Sequence, residues 1–593
     1  MSRSTDPRGQ RARAAATGAG PGPQSAVRAG AGGVSRRGLL GLAGSAAALV
    51  SGCTALPSSG EVQESNVVVT DTNALIETAP GPVADASPEE IVRGFLRAVN
   101  AGFSDGFDTA RQFLTGEAAE HWRPLEAVQV YSSSTEPQIS VAADGSIMVS
   151  FGTLGRLSAD GVFAPAVQDA IYETSFSLVA LTAGQWRIAG LESGILLPFN
   201  RMSKNFAVHA LHFLTRDHAR FIPELRWYPR DPAGLARSLV AGLIAGPSAW
   251  LAPGTDALLP GGAALSGEGV VLQEDRALVL LNSQANPGDR DSRALVAAQI
   301  QQTLSQISGI TRVEVRAGSV ELGPAASLPS LSPDIGGVVG MVEGGVVRGT
   351  GTTRSTLATA QALGTTEAGS PVLAADGSVY VLSASSLLRL PQGSSAASVI
   401  LSVGDPAAGA GGLKAPIADR HGWVWLLAEG QLAAVNASGQ RVDPRASWFE
   451  GDSVEAFDLS VESERLAVRL ASGAVVLAVV LRDGNGQPTG IGPGHDLPRA
   501  GGAGASGISW CTATSVGTLV QPEEADGLPE VRMVQAGGPV TTMIGVRSAH
   551  SVIADRSEEM ILLNDDKGQT WQRRGATWRV LTDEVTDLSF PLP

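Results

Sequence analysis

From Ile91 onward the apolar residues Ile91, Val92, Phe95, Leu96 and Val99 recur at the three- and four-residue spacing of one helical face. Ser87-Pro88-Glu89-Glu90 marks where that helix begins, with a capping serine, a proline at the first helical position and a glutamate able to close a capping box. A second helix is expected over Thr109 to Trp122, burying Phe113, Leu114, Ala118 and Trp122. The period then changes to two. Runs at Val128–Ser132, Gln138–Ala142, Ser146–Leu154, Ile171–Thr182 and Gln185–Leu191 predict strands, with Asp144-Gly145 and Asp160-Gly161 as turns. Helices followed by an antiparallel sheet make an α+β unit over residues 87–204.

A second α+β unit follows over 205–323. Strands are expected at Ala207–Thr215 and Phe221–Tyr228, then a helix over Pro232–Gly246 whose stripe is Leu235, Leu239, Val240, Leu243 and Ile244. Strands at Val270–Gln273 and Arg276–Leu281, a helix over Ser292–Ser308 and a strand at Arg312–Arg316 complete it. From 324 to 593 the texture becomes short β runs at intervals of roughly 40 residues. Ser370-Pro371-Val372-Leu373-Ala374-Ala375-Asp376-Gly377 and Ala415-Pro416-Ile417-Ala418-Asp419-Arg420-His421-Gly422 share one plan, each leading into an alternating strand. Ala456 to Val468 and Ser551 to Leu563 repeat it loosely. Such repetition predicts an all-β propeller of about six blades, with a pair of β-sandwiches as the alternative.

The chain's first 52 residues fit neither pattern. Residues 1–37 hold seven arginines and one aspartate, ending in Arg36 and Arg37, and the run from Gly38 to Gly52 is uncharged. A charged stretch, a short apolar stretch and small residues before Cys53 read as an export signal, too short and weakly apolar for a spanning helix of about 20 residues. Val50-Ser51-Gly52-Cys53 fits a lipobox, with cleavage between Gly52 and Cys53 and lipidation of Cys53. Two acyl chains there would anchor stably, at roughly 0.8 kcal/mol per buried methylene. Ser35 to Leu40 also fits a twin-arginine pattern, so the export route stays open between that and the general secretory one. Residues 53–86 then read as a lipidated tether.

Composition narrows the partners. The formal charge is −15, and without residues 1–37 it is −21, which argues against nucleic acid and against extended contact with anionic lipid. Cys53 and Cys511 are the two cysteines, so lipidation of the first excludes an internal disulfide. No catalytic elbow, zinc-protease helix or phosphate loop occurs. His209, His212, His218, Asp217 and Glu224 crowd one region, but His209 and His212 fall on opposite faces of an alternating strand, which points to structural roles and no metal or cofactor. Trp423, Trp425, Trp510, Trp571 and Trp578 suit either packing between sheets or stacking on sugar rings.

The first unit resembles NTF2-like domains, and the second, through its order of elements and the Leu-Ile-Ala-Gly-Pro helix end, resembles the GerMN domain. With the lipobox, tether and propeller in that order, the whole resembles the actinobacterial lipoprotein LpqB family. That resemblance implies a lipid-anchored protein on the outer face of the cell membrane. It also implies a non-enzymatic accessory of a two-component system, touching the extracellular sensor domain of an MtrB-like histidine kinase in cell-wall homeostasis. The alternatives are an envelope enzyme, as a propeller-borne hydrolase or wall-glycan lyase, and a wall-glycan binder without turnover.

Overall fold

The computed structural model describes residues 78–592 apart from 168, 183, 232–233, 330–336, 352–353, 405–411, 503, 523–526, 539 and 558–559. Helix α1 (Pro88–Ala101) opens with the expected capping box, Ser87 accepting from the Glu90 amide while Glu90 accepts from that of Ser87. Its buried face is Ile91, Val92, Phe95, Ala98 and Val99. The expected second helix is instead two short ones, α2 (Asp108–Arg111) and α3 (Gly116–His121). Between them the chain bonds to a distant strand, Ile188 donating to the Phe113 carbonyl and Thr115 to that of Ile188, which a continuous helix would forbid.

Strands β1 (Ala127–Tyr131), β2 (Gln138–Val141), β3 (Ile147–Ser158), β4 (Phe163–Pro165), β5 (Ile171–Thr182), β6 (Gln185–Gly190) and β7 (Ile195–Pro198) form one sheet. Its main path is β6-β5-β3-β1-β7, and the unexpected β7 lies parallel to β1. Phe95 fills the concave side, its ring 5.4 Å from Trp122 and 6.0 Å from Phe176. Helix α4 (Phe199–Asn205), also unexpected, leads into the second unit.

That unit pairs two small sheets with two helices. Strands β8 (Phe206–Thr215) and β9 (Phe221–Pro229) form a long hairpin joined by β10 (Thr255–Asp256). Strands β11 (Leu265–Gln273), β12 (Arg276–Leu281), β13 (Arg312–Ala317) and β14 (Val320–Glu321) form the other sheet. Helices α5 (Leu235–Ala245) and α6 (Arg290–Leu304) bury Leu239, Val240, Leu243, Val296, Ile300 and Leu304 against both.

Beyond residue 338 the described residues form six antiparallel sheets, as a propeller requires. Five open on the strands Ala368–Leu373, Leu413–Ala418, Val454–Leu459, Ala505–Trp510 and Ala549–Ala554, and the repeat was read in all of these but Ala505–Trp510. The remaining sheet is shared between the two ends of this region, Thr586–Ser589 pairing with Val339–Val342. Successive sheets bury apolar residues against each other. Val339 and Val346 meet Val381, Leu387 meets Leu426, and Trp425 meets Val468. Leu477 meets Trp510, Leu519 meets Leu563, and Leu562 meets Val347 and Leu588. The last contact returns to the first sheet, so the sheets close a ring. After its closing strand the chain crosses to Trp423 and Leu459, where Leu592 is buried.

Candidate functional site

Cys53, Gly52, Arg36 and Arg37 lie outside the described residues. Among the described ones the expected histidine cluster does not converge. His212 is buried on β8, its backbone amide donating to Thr303 Oγ1, and burial lowers its pKa to about 4. His209 is half-buried, and His218 pairs with Asp256 at 2.5 Å. No group of three His, Cys, Asp or Glu residues that could hold a metal is present among the described residues.

Asp217 instead helps join the second unit to the ring, while Glu224 binds Arg226 and Ser248 within its own unit. The turn after β8 presents Asp217 to Arg420, Oδ2 to Nη1 2.7 Å, while Asp217 Oδ1 accepts from the Thr215 hydroxyl. Burial pushes this carboxyl up, but the Arg420 and Thr215 hydrogen bonds outweigh it and hold it well below the usual carboxylate range. Arg420 then reaches Glu464 at 2.7 Å, and Glu464 also takes His421 at 2.7 Å and Arg482 at 3.1 Å. Arg482 continues to Asp419 at 2.9 Å, whose other partners are the Trp425 indole and the backbone amides of His421 and Trp423. The aspartate of the sequence repeat is thus the brace of the turn.

One sheet further on, Arg465 is 1 % exposed. It binds Glu462 through two nitrogens, donates to the carbonyls of Pro223 and Ala513, and lies 4.7 Å from the Trp510 ring centre. Arg556 and Asp458 pair beside it at 2.6 Å. Glu224 binds Arg226 at 3.1 Å and the Ser248 amide, and burial raises its pKa against the pull of Arg226. Trp227 donates its indole N–H to the Gly537 carbonyl, and Trp250 stacks on His495 at 5.2 Å with a 17° tilt. Burial lowers the pKa of His495. Most of these charges are buried and paired with one another, which suits a rigid joint better than proton transfer to a substrate.

The tryptophans are packed. Trp425 and Trp510 are fully buried, Trp423 nearly so, and Trp571 and Trp578 pack against the cluster around Cys511. Sequence reasoning did not find the joint, because its residues come from loops far apart in the chain. The weak signal was a charged run, Glu462-Ser463-Glu464-Arg465, inside an otherwise apolar hairpin.

Residues 81–203 match the family described as lipoprotein LpqB, N-terminal domain, and residues 344–591 the lipoprotein LpqB beta-propeller domain. Both profiles fall in one chain, in order, over most of the described residues. The chain belongs to the lipoprotein LpqB family. Between the two LpqB regions, residues 210–322 match the Germane family, described as sporulation and spore germination.

The LpqB of Bifidobacterium longum is 26 % identical over 460 residues, covering 74 % of this chain and 77 % of its own. Those of Cutibacterium acnes and Streptomyces coelicolor are 29 % and 30 % identical, but the matches cover 49 % and 48 % of their lengths, about half. Among solved structures, an inactive virginiamycin B lyase from Staphylococcus aureus with quinupristin is 10 % identical, with a TM-score of 0.28 over 42 % of this chain and 78 % of its own. The first GerMN domain of GerM from Bacillus subtilis is 15 % identical, with a TM-score of 0.17 over 21 % of this chain and 94 % of its own. Neither structural likeness is close enough to bear on function. Membership makes the protein a membrane-anchored lipoprotein. No described helix is long and apolar enough to cross a membrane.

Proposed function

We propose that this LpqB lipoprotein is a non-enzymatic accessory, held through lipidated Cys53 on the extracytoplasmic face of the cell membrane. In this reading it modulates a two-component system in cell-wall homeostasis by contacting the extracellular sensor domain of an MtrB-like histidine kinase. The observation that carries the non-enzymatic part is the fate of the buried charges. Arg420, Glu462, Glu464, Arg465 and Arg482 bind one another, Asp217 and backbone carbonyls, and so tie two domains together.

The partner assignment rests on family resemblance and is tested directly. The full chain, reconstituted in nanodiscs, is titrated against the kinase sensor domain. Association at about micromolar concentration supports the reading, and none at that concentration overturns it. The anchor has its own test: Cys53→Ser moves the protein from the membrane to the soluble fraction and abolishes labelling with radioactive palmitate. The glycan-binding alternative loses Trp423, Trp425 and Trp510 as a stacking surface, since a sugar cannot reach buried rings.

A further inference from the structure

The concave side of the first domain's sheet retains a cavity of about 50 Å³ between α1 and β5, open at the loop after β6. Its floor, the most buried lining, is mainly apolar, Phe95, Phe176 and Ile195, with Thr174 among them. Its rim is polar and carries both signs of charge, Arg156 from β3 and Glu192 from the loop, with Tyr172 from β5. Tyr172 donates to Glu192 Oε2 at 3.1 Å, and burial together with the Glu192 charge raises the pKa of the phenol, which therefore stays protonated. Arg156 is close enough to act electrostatically on the same phenol, yet no ion pair within 4.0 Å joins it to Glu192. Among the described residues no hydrogen bond or ion pair engages its guanidinium. At the joint, by contrast, Arg420, Arg465, Arg482 and Arg556 each bind a carboxylate.

Separated opposite charges over a small, mainly apolar floor select a ligand with the same pattern. A simple anion would meet the carboxylate and a simple cation the guanidinium, whereas a zwitterion satisfies both. The cavity as a whole is only about 50 Å³, which limits the ligand's apolar part to a short side chain. We propose that this cavity binds a small α-amino acid, with its carboxylate on Arg156, its ammonium between Glu192 and the Tyr172 oxygen, and its side chain on the floor. The site is independent of the kinase partnership.

Saturation-transfer NMR on the detergent-solubilised full chain tests this with alanine as probe, and propionate and ethylamine as single-charge comparators. Alanine binds with a Kd of about a millimolar, with its methyl protons most strongly saturated, and at least about tenfold more tightly than either comparator. Arg156→Gln lowers alanine to the level of ethylamine and Glu192→Gln to that of propionate. Both side chains are exposed, so an unchanged thermal midpoint shows that the fold survives. Equal binding of the three probes, no saturation by about 50 mM alanine, or variants that bind like the parent would each overturn the proposal.

Discussion

At the scale of single residues, Arg465 and Glu462 form an ion pair in which each side chain is 1 % exposed. Removal of Arg465 takes from Glu462 the guanidinium that binds its carboxylate. Arg465→Ala is therefore expected to cost about 3–5 kcal/mol in guanidinium denaturation of the full chain, whereas Arg465→Met with Glu462→Leu costs less because no lone charge stays buried. His212 sets a pH dependence. Burial lowers its folded pKa to about 4 from an ordinary 6.5, so the unfolded chain takes up the proton first as pH falls. Stability from this residue is complete above about pH 6.5 and declines toward pH 4, by on the order of 3 kcal/mol. Denaturation at pH 7 and 4.5 checks this, and His212→Gln, which cannot titrate, is expected to show a shallower decline. His495 and His209, lowered in the same direction by burial, leave a residual slope in that variant.

Elements with local causes were legible. The capping box and amphipathic face locate α1, and strict alternation locates β5 and β12 to the residue. The division of Thr109–Trp122 was not legible, because its cause is pairing with Ile188, and neither was β7, which exists through its parallel partner β1. In two copies of the propeller repeat the small residue before proline lies in the left-handed region. Ser370 and Ala415 have positive φ, 48° and 50°, at bulges in the inner strands. Gly507, at φ 62°, stands at the corresponding bulge of another sheet. A Cβ there meets only ordinary contacts, the nearest at 3.4 Å, so the penalty is conformational. Gly507→Ala is expected to lower stability by about 1–2 kcal/mol, read from the denaturation midpoint.

Over the whole molecule, the order of domains was legible from changes of periodicity, while their union was not. Trp227 to Gly537 and Arg420 to Asp217 link residues separated by hundreds of positions, and neither partner looks unusual in its own neighbourhood. Closure of the ring belongs to this scale. Removing residues 586–593 takes away the strand beside Val339–Val342 and exposes Val347 and Leu562, which pack with Leu588. That truncation is expected to render residues 338–585 sensitive to limited proteolysis while the segment 78–323 resists.

A chain emerging in order makes the outer strands of the shared sheet first and its inner strand only after every other sheet has been laid down. Until Thr586–Ser589 arrives, two greasy flanks face each other across a gap, each a template for the wrong neighbour. The interval between those two events is when this lipoprotein most needs shelter.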